Sequence, residues 1–173
     1  MIITSIKLHP FAGISDLTVP LKTGLNVVLG PNEAGKSTLV SALNVALFES
    51  TKYRQPYWVN HLERFVPLQG GDVFQVSVDF SIGGDKYQIS KTFGAEDNTR
   101  LVLPGGQSVV DQVTAEKQLG ELLEFEQGTW RNVLICEQST LPGTLTTFSD
   151  GNYATHELAE HLRSAIMDTD GVS

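Results

Sequence analysis

Apolar and polar positions divide this chain into recognisable segments. Ile2 to Leu8 alternates side by side and predicts a strand, and Ile14 to Leu21 predicts a second one with Pro20 near its end. Pro10 to Gly13 makes the turn between them. Leu25 to Leu29 (LNVVL) is a short unbroken apolar run, the pattern of a strand buried on both faces. After a glycine-bearing loop, Leu39, Leu43, Ala46 and Leu47 recur at helical spacing and predict an amphipathic helix. Thr51 to Leu68 has no clean period and predicts a long loop. Its interleaved Tyr53, Arg54, Tyr57, Trp58 and Arg64 suit aromatic rings tucked into the core better than a stacking platform for single-stranded nucleic acid.

Further along, Val73 to Ile82 and Lys86 to Phe93 flank Gly83-Gly84-Asp85 and predict a hairpin. Arg100 to Leu103 and Gln107 to Val110 flank Pro104-Gly105-Gly106 and predict another. The middle of the chain therefore reads as an antiparallel sheet inserted after the first helix. Thr114 to Leu123 predicts a helix with Leu119, Leu122 and Leu123 on one side, and Val133 to Cys136 a second buried strand with Glu137-Gln138 at its end. Leu158, Leu162, Ala165 and Ile166 mark a last amphipathic helix over 153–167, before a polar tail. There is no internal repeat.

Composition narrows the function classes. With 173 residues, 40% of them hydrophobic, the chain is long enough for one domain with a sizeable core. Twelve basic and twenty acidic residues give a net charge of −8, so a basic footprint for nucleic acid is absent from the chain as a whole. Any such contact would need another part of a larger assembly or a local patch, for which Lys52, Arg54, Arg64, Lys86 and Lys91 are candidates beside their plainer reading as solvated charges. Cys136 is the single cysteine, which excludes an internal disulfide and a cysteine-based metal site. The opening MIITSIKLHPF, broken by Lys7 and His9, is neither a signal peptide nor a membrane span, and the cytoplasm is the expected location.

The chemistry lies between the LNVVL run and the helix. Gly30, Gly35, Lys36 and Ser37 fit G-x-x-x-x-G-K-[ST], a loop that cradles phosphates. Glycine lets the backbone curl so that successive amide N–H groups from Asn32 to Thr38 converge. The following helix adds its positive end. Lys36 adds a full charge among the outer phosphates, and the Ser37 hydroxyl is suited to ligate magnesium. Gly30, Pro31, Asn32, Glu33, Ala34, Gly35, Lys36, Ser37 and Thr38 are thus the expected ATP-binding residues. Glu33 should turn away from bound phosphate, into solvent or toward a second subunit.

This order, a strand pair followed by GLNVVLGPNEAGKSTLVSAL, a sheet and then VLICEQSTL, resembles the first half of an ABC-type ATPase head of the Rad-fifty, SbcC and SMC group. GPNEAGKSTL, FVPLQGG and YQISKTF most resemble the bacterial SbcC and YhaN-like branch. The resemblance implies an α/β P-loop NTPase lobe with a mixed central sheet and an antiparallel β insertion. It further implies ATP and Mg2+ as cofactors, with Gln138 joining Lys36 as a catalytic residue and Ser37 as a magnesium ligand. Phe11-Ala12-Gly13 lacks the basic residue many relatives carry in that turn. An Asp-Glu strand and an LSGGQ-like signature are missing, since neither VSVDF nor SVVDQ continues into Glu. The resemblance therefore implies an amino-terminal lobe over 1–173, with 153–167 leading into a coiled-coil arm. Its implied partners are the carboxy-terminal half of the head, a second copy joined through ATP, DNA and a nuclease subunit, with no membrane. The rival readings are a small nucleotide or metabolite kinase, which would need a basic lid, and a non-catalytic nucleotide-gated interaction module. A GTPase would need N-K-x-D, which is absent.

Overall fold

The computed structural model describes residues 1–68 and 70–124, which belong to one unit, Met1–Glu124. The expected strand Val133–Cys136, Gln138 and the helix over 153–167 lie outside the described residues.

Among the described residues six strands form one antiparallel sheet in the order β2-β1-β3-β4-β5-β6. They are β1 (Ile2–Leu8), β2 (Leu17–Pro20), β3 (Phe74–Ile82), β4 (Asp85–Phe93), β5 (Asn98–Val102) and β6 (Ser108–Val109). Period-two alternation sorts their side chains onto two faces. Val76, Lys91, Thr99 and Leu8 share one row across the sheet, and Val78, Ile89, Leu101 and Ile6 share the next. All eight are buried. The opposite face is polar, with Lys7, Ser77, Ser90 and Arg100 in register. On that face the Ser77 and Ser90 hydroxyls lie 2.8 Å apart, and Lys7 pairs with Asp79 at 3.2 Å.

Two helices cover the apolar face: α1 (Lys36–Phe48) packs on β3, β4 and β1, and α3 (Gln112–Leu123) packs on β5 and β6. The buried side of α1 comprises Leu39, Ala42, Val45, Ala46 and Leu47, while Leu43 is only half-buried. Ala115, Leu119 and Leu123 bury α3, whose N-terminus is capped by the Asp111 carboxylate accepting the Thr114 amide at 2.9 Å.

The β3–β4 hairpin turns on Gly83 and Gly84, at φ 59° and 95°. A two-residue turn with both centres left-handed matches the twist of its strands, which is why glycines stand there. Phe74 stacks on its cross-strand partner Phe93 at 4.8 Å, and Phe80 on Tyr87 at 5.4 Å.

The expected antiparallel strands do follow α1 as β3 to β6, and they share one sheet with β1 and β2. Two expectations are corrected. Thr51 to Leu68 is not an open loop but a chain of short turns: α2 (Gln55–Tyr57), a π-helical turn (Trp58–Leu62) and a 3-10 turn (Glu63–Phe65). Its aromatics do turn inward in part, with Trp58 against Tyr53 and Phe74 and with Phe65 stacked on Phe11 at 4.7 Å. Tyr57 instead lies outside against His61. Finally, Leu25–Leu29 is not a strand. Leu25 is 92% and Leu29 87% exposed, and no described strand pairs with the run. A strand is buried on both faces only where neighbours satisfy both of its hydrogen-bonding edges and layers cover it. Here β2 ends the sheet, and the parallel neighbour that such a run needs is absent from the described residues.

Candidate nucleotide-binding site

The exposed Leu25–Leu29 run leads straight into the glycine loop. Asn26 fixes its start, accepting the Lys22 amide at 2.9 Å and donating to the Lys22 carbonyl at 2.7 Å. Within the loop, Glu33 (φ 67°) and Gly35 (φ 84°) both take left-handed backbone. Alternation of such residues with right-handed ones turns successive N–H groups inward, as a nest for an anion. For Glu33 that conformation costs about 1–2 kcal/mol, a strain that a side-chain-bearing residue keeps only where its surroundings impose it.

Gly35 is the N-cap of α1, and no side chain caps the helix or places an acid in its first turn. The helix N-terminus therefore offers unpaired N–H groups and its partial positive charge to an anionic ligand. The backbone conformation is what favours glycine at this position, with a smaller contribution from crowding. Its φ is left-handed, and a Cβ there would stand 3.2 Å from Ile14 Cδ1. Ile14, which the sequence pattern assigned only to a strand, is the apolar floor of this turn.

Lys36 Nζ donates to the carbonyls of Gly30 and Pro31, at 2.8 and 2.5 Å. The ammonium is thus folded back over the amino-terminal end of the loop. Ser37 is exposed and Thr38 half-buried, at the first turn of α1. Gly30, Pro31, Asn32, Glu33, Ala34, Gly35, Lys36, Ser37 and Thr38 are brought together as one continuous cradle. Gln138 lies outside the described residues. Unpaired amides, one ammonium and two hydroxyls fit a polyphosphate. Among the described residues no cluster of three His, Cys, Asp or Glu side chains could hold a metal. Were magnesium bound with a phosphate here, Ser37 would be the residue to hold it, and no acidic cage would be required.

The AAA domain family matches residues 5–148. The chain belongs to that family. Curated relatives of this AAA domain include two described as DNA double-strand break repair Rad50 ATPases. That of Sulfolobus acidocaldarius is 27% identical over 154 residues, covering 87% of this chain and 17% of the relative. That of Methanococcus maripaludis is 25% identical over 142 residues, covering 82% and 14%. The AAA domain chain thus spans about a sixth of the length of these relatives. A solved structure, from work on ATP-driven dimerisation and DNA-stimulated activation of SMC ATPases, superposes with a TM-score of 0.58 at 14% identity. It covers 91% of this chain and 96% of its own. The fold is that of a P-loop ATPase lobe.

One expected nucleic-acid contributor is removed. Lys52, Arg54, Arg64 and Lys86 are exposed, but Lys91 is 1% exposed and points into the core of the AAA domain. Lys91 and its carboxylate neighbours, at the far end of α1, were missed as a group. The signal was there: Tyr87, Ile89, Lys91 and Phe93 put a lysine in the apolar phase of β4.

Proposed function

We propose that this chain is the ATP-binding lobe of a Rad50/SMC-like ATPase that acts on DNA breaks or DNA ends. The carrying observation is the glycine cradle at the uncapped N-terminus of α1, with Lys36 folded over it. Fold-level likeness alone would not assign the reaction. Loop amides and Lys36 bind the phosphates, and Ser37 and Gln138 would hold magnesium, which when bound neutralises charge on the outer phosphates. Gln138 would also position the attacking water. Turnover then depends on a base supplied by the carboxy-terminal half of the head, and on a second copy covering the γ-phosphate.

The exposed, strand-prone Leu25–Leu29 supports a partner half that pairs with it. DNA is proposed to engage only the assembled ATP-bound dimer, because a net charge of −8 repels a phosphate backbone. A nuclease subunit completes the proposed assembly. Among the described residues no helix is long and apolar enough to cross a membrane, and a cytoplasmic setting is proposed with the rest.

Calorimetry of ATP-Mg binding to the chain and to Lys36→Ala tests the site. Charge-assisted hydrogen bonds contribute about 1.5–3 kcal/mol each, so affinity should fall roughly ten- to 150-fold with the fold intact. Equal affinities would overturn the assignment, and phosphoryl transfer to a small metabolite would favour the kinase reading instead.

A further inference from the structure

Helix α1 carries the phosphate cradle at its N-terminus, yet its own last turn contains no basic residue to face the negative end of its dipole. That charge comes from the sheet. Lys91, buried in β4, sends Nζ to the carbonyl of Glu49, the C-cap of α1, at 2.6 Å. Desolvation holds its pKa down at about 8, against the pull of the Glu116 and Glu49 carboxylates that face it. The residues just past α1 are tied to α3 mainly by Glu116, with Gln112 Nε2 donating more weakly to the Ser50 hydroxyl at 3.5 Å. Glu116 accepts from the Ser50 hydroxyl at 2.9 Å and from the Thr51 amide at 3.1 Å. Thr51 in turn reaches Thr99 of β5 at 2.9 Å.

A partly buried charged network of this kind costs desolvation, and hydrophobic residues of similar volume would hold two helices together as well or better. What such residues would not do is fix one register between the end of α1 and α3. α3 then leads, in sequence, to the segment that bears Gln138.

We infer that Lys91 and Glu116 are positioning residues that couple nucleotide at the N-terminus of α1 to the order of α3. They never touch the nucleotide. They hold the far end of the helix that does, so an anion that stiffens α1 also stiffens the backbone held by Glu116. This inference rests on the nucleotide reading above.

Hydrogen exchange of the full 173-residue chain, with and without ATP-Mg, tests both ideas separately. In the wild type, ATP should slow exchange over 30–38 and also over 112–123, the latter by about fivefold or more. Glu116→Gln keeps the shape of the side chain and removes its charge. It should retain the slowing at 30–38 and lose it at 112–123. A purely structural role would instead speed exchange in α3 equally with and without ATP, leaving the ATP-dependent ratio as in the wild type, and that result overturns the coupling. Lys91→Met should act in the same direction. Where that variant alone fails to fold, Lys91→Met combined with Glu116→Gln removes the buried ammonium together with the half-buried carboxylate that faces it, and should show the same lost ratio. Slowing at 30–38 without slowing at 112–123 in the wild type defeats the coupling alone. No slowing at 30–38 defeats the nucleotide reading and the coupling with it.

Discussion

Replacing Gly35 by alanine probes the cradle most directly. At φ 84° an L residue is disfavoured by about 1–2 kcal/mol. The added methyl would also sit 3.2 Å from Ile14 Cδ1, but that is the free end of a flexible side chain and can yield by a few tenths of an ångström. The backbone term therefore dominates. It can surface in two ways. If the loop keeps its shape, the chain loses about 1–2 kcal/mol of stability and binds ATP normally. If the loop relaxes to negative φ, stability recovers but the Lys36 to Thr38 amides swing away, and the same energy is lost from binding, roughly five- to thirtyfold in Kd. Urea denaturation and ATP calorimetry on one preparation should show losses that together reach about 1–2 kcal/mol. Adding Ile14→Ala should restore little. Wild-type values in both assays would refute the left-handed turn as the basis of the cradle, and full rescue by Ile14→Ala would show that crowding, not φ, was the cause.

Gly94→Ala should destabilise by about 3 kcal/mol in urea, since its Cβ would stand 1.8 Å from the Asp72 carbonyl oxygen at φ 113° and backbone must move. Leu29→Ser should change the urea midpoint by the equivalent of no more than about 0.5 kcal/mol, because the side chain is 87% exposed; a loss of several kcal/mol would show that the run is buried. Lys91 binds its proton less tightly in the fold, at about 8 against an ordinary 10.5, so the unfolded chain holds more protons between those values and stability rises with pH there. Relative to Lys91→Met, the wild type should gain up to about 3 kcal/mol across that window and nothing below it; a gap that stays constant from pH 7 to 10 would contradict the burial.

The hairpins and the helix after the glycine loop were legible because local rules settle them. Gly83-Gly84 between alternating runs leaves few options, and Leu39 with Ala46 and Leu47 marks one side of α1. The proposed cradle could be located for the same reason: its candidate residues are contiguous in sequence, from Gly30 to Thr38. LNVVL misled, because an apolar run states only that burial is wanted. Which strand provides it is non-local, and that strand is absent from the described residues. The place of β1 inside the sheet was hidden likewise, since pairing of Leu8 with Val76 is set by matching faces across a long separation. Lys91 was weighed by its charge alone, whereas its phase among Tyr87, Ile89 and Phe93 decides where it points.

Among the described residues the two edges of the sheet are short: β6 has two residues, and β2 has four and ends on Pro20. Edges of that kind give an incoming strand little to grip, so the sheet resists growth by addition. Leu25–Leu29 has the opposite character, being uncharged, exposed and free of proline, the composition from which ordered aggregates nucleate. Among the described residues, self-association of concentrated chains is thereby favoured immediately upstream of Gly30. Oligomers growing there would draw on the same backbone that shapes the cradle, so crowding and ligand compete for neighbouring stretches of one chain.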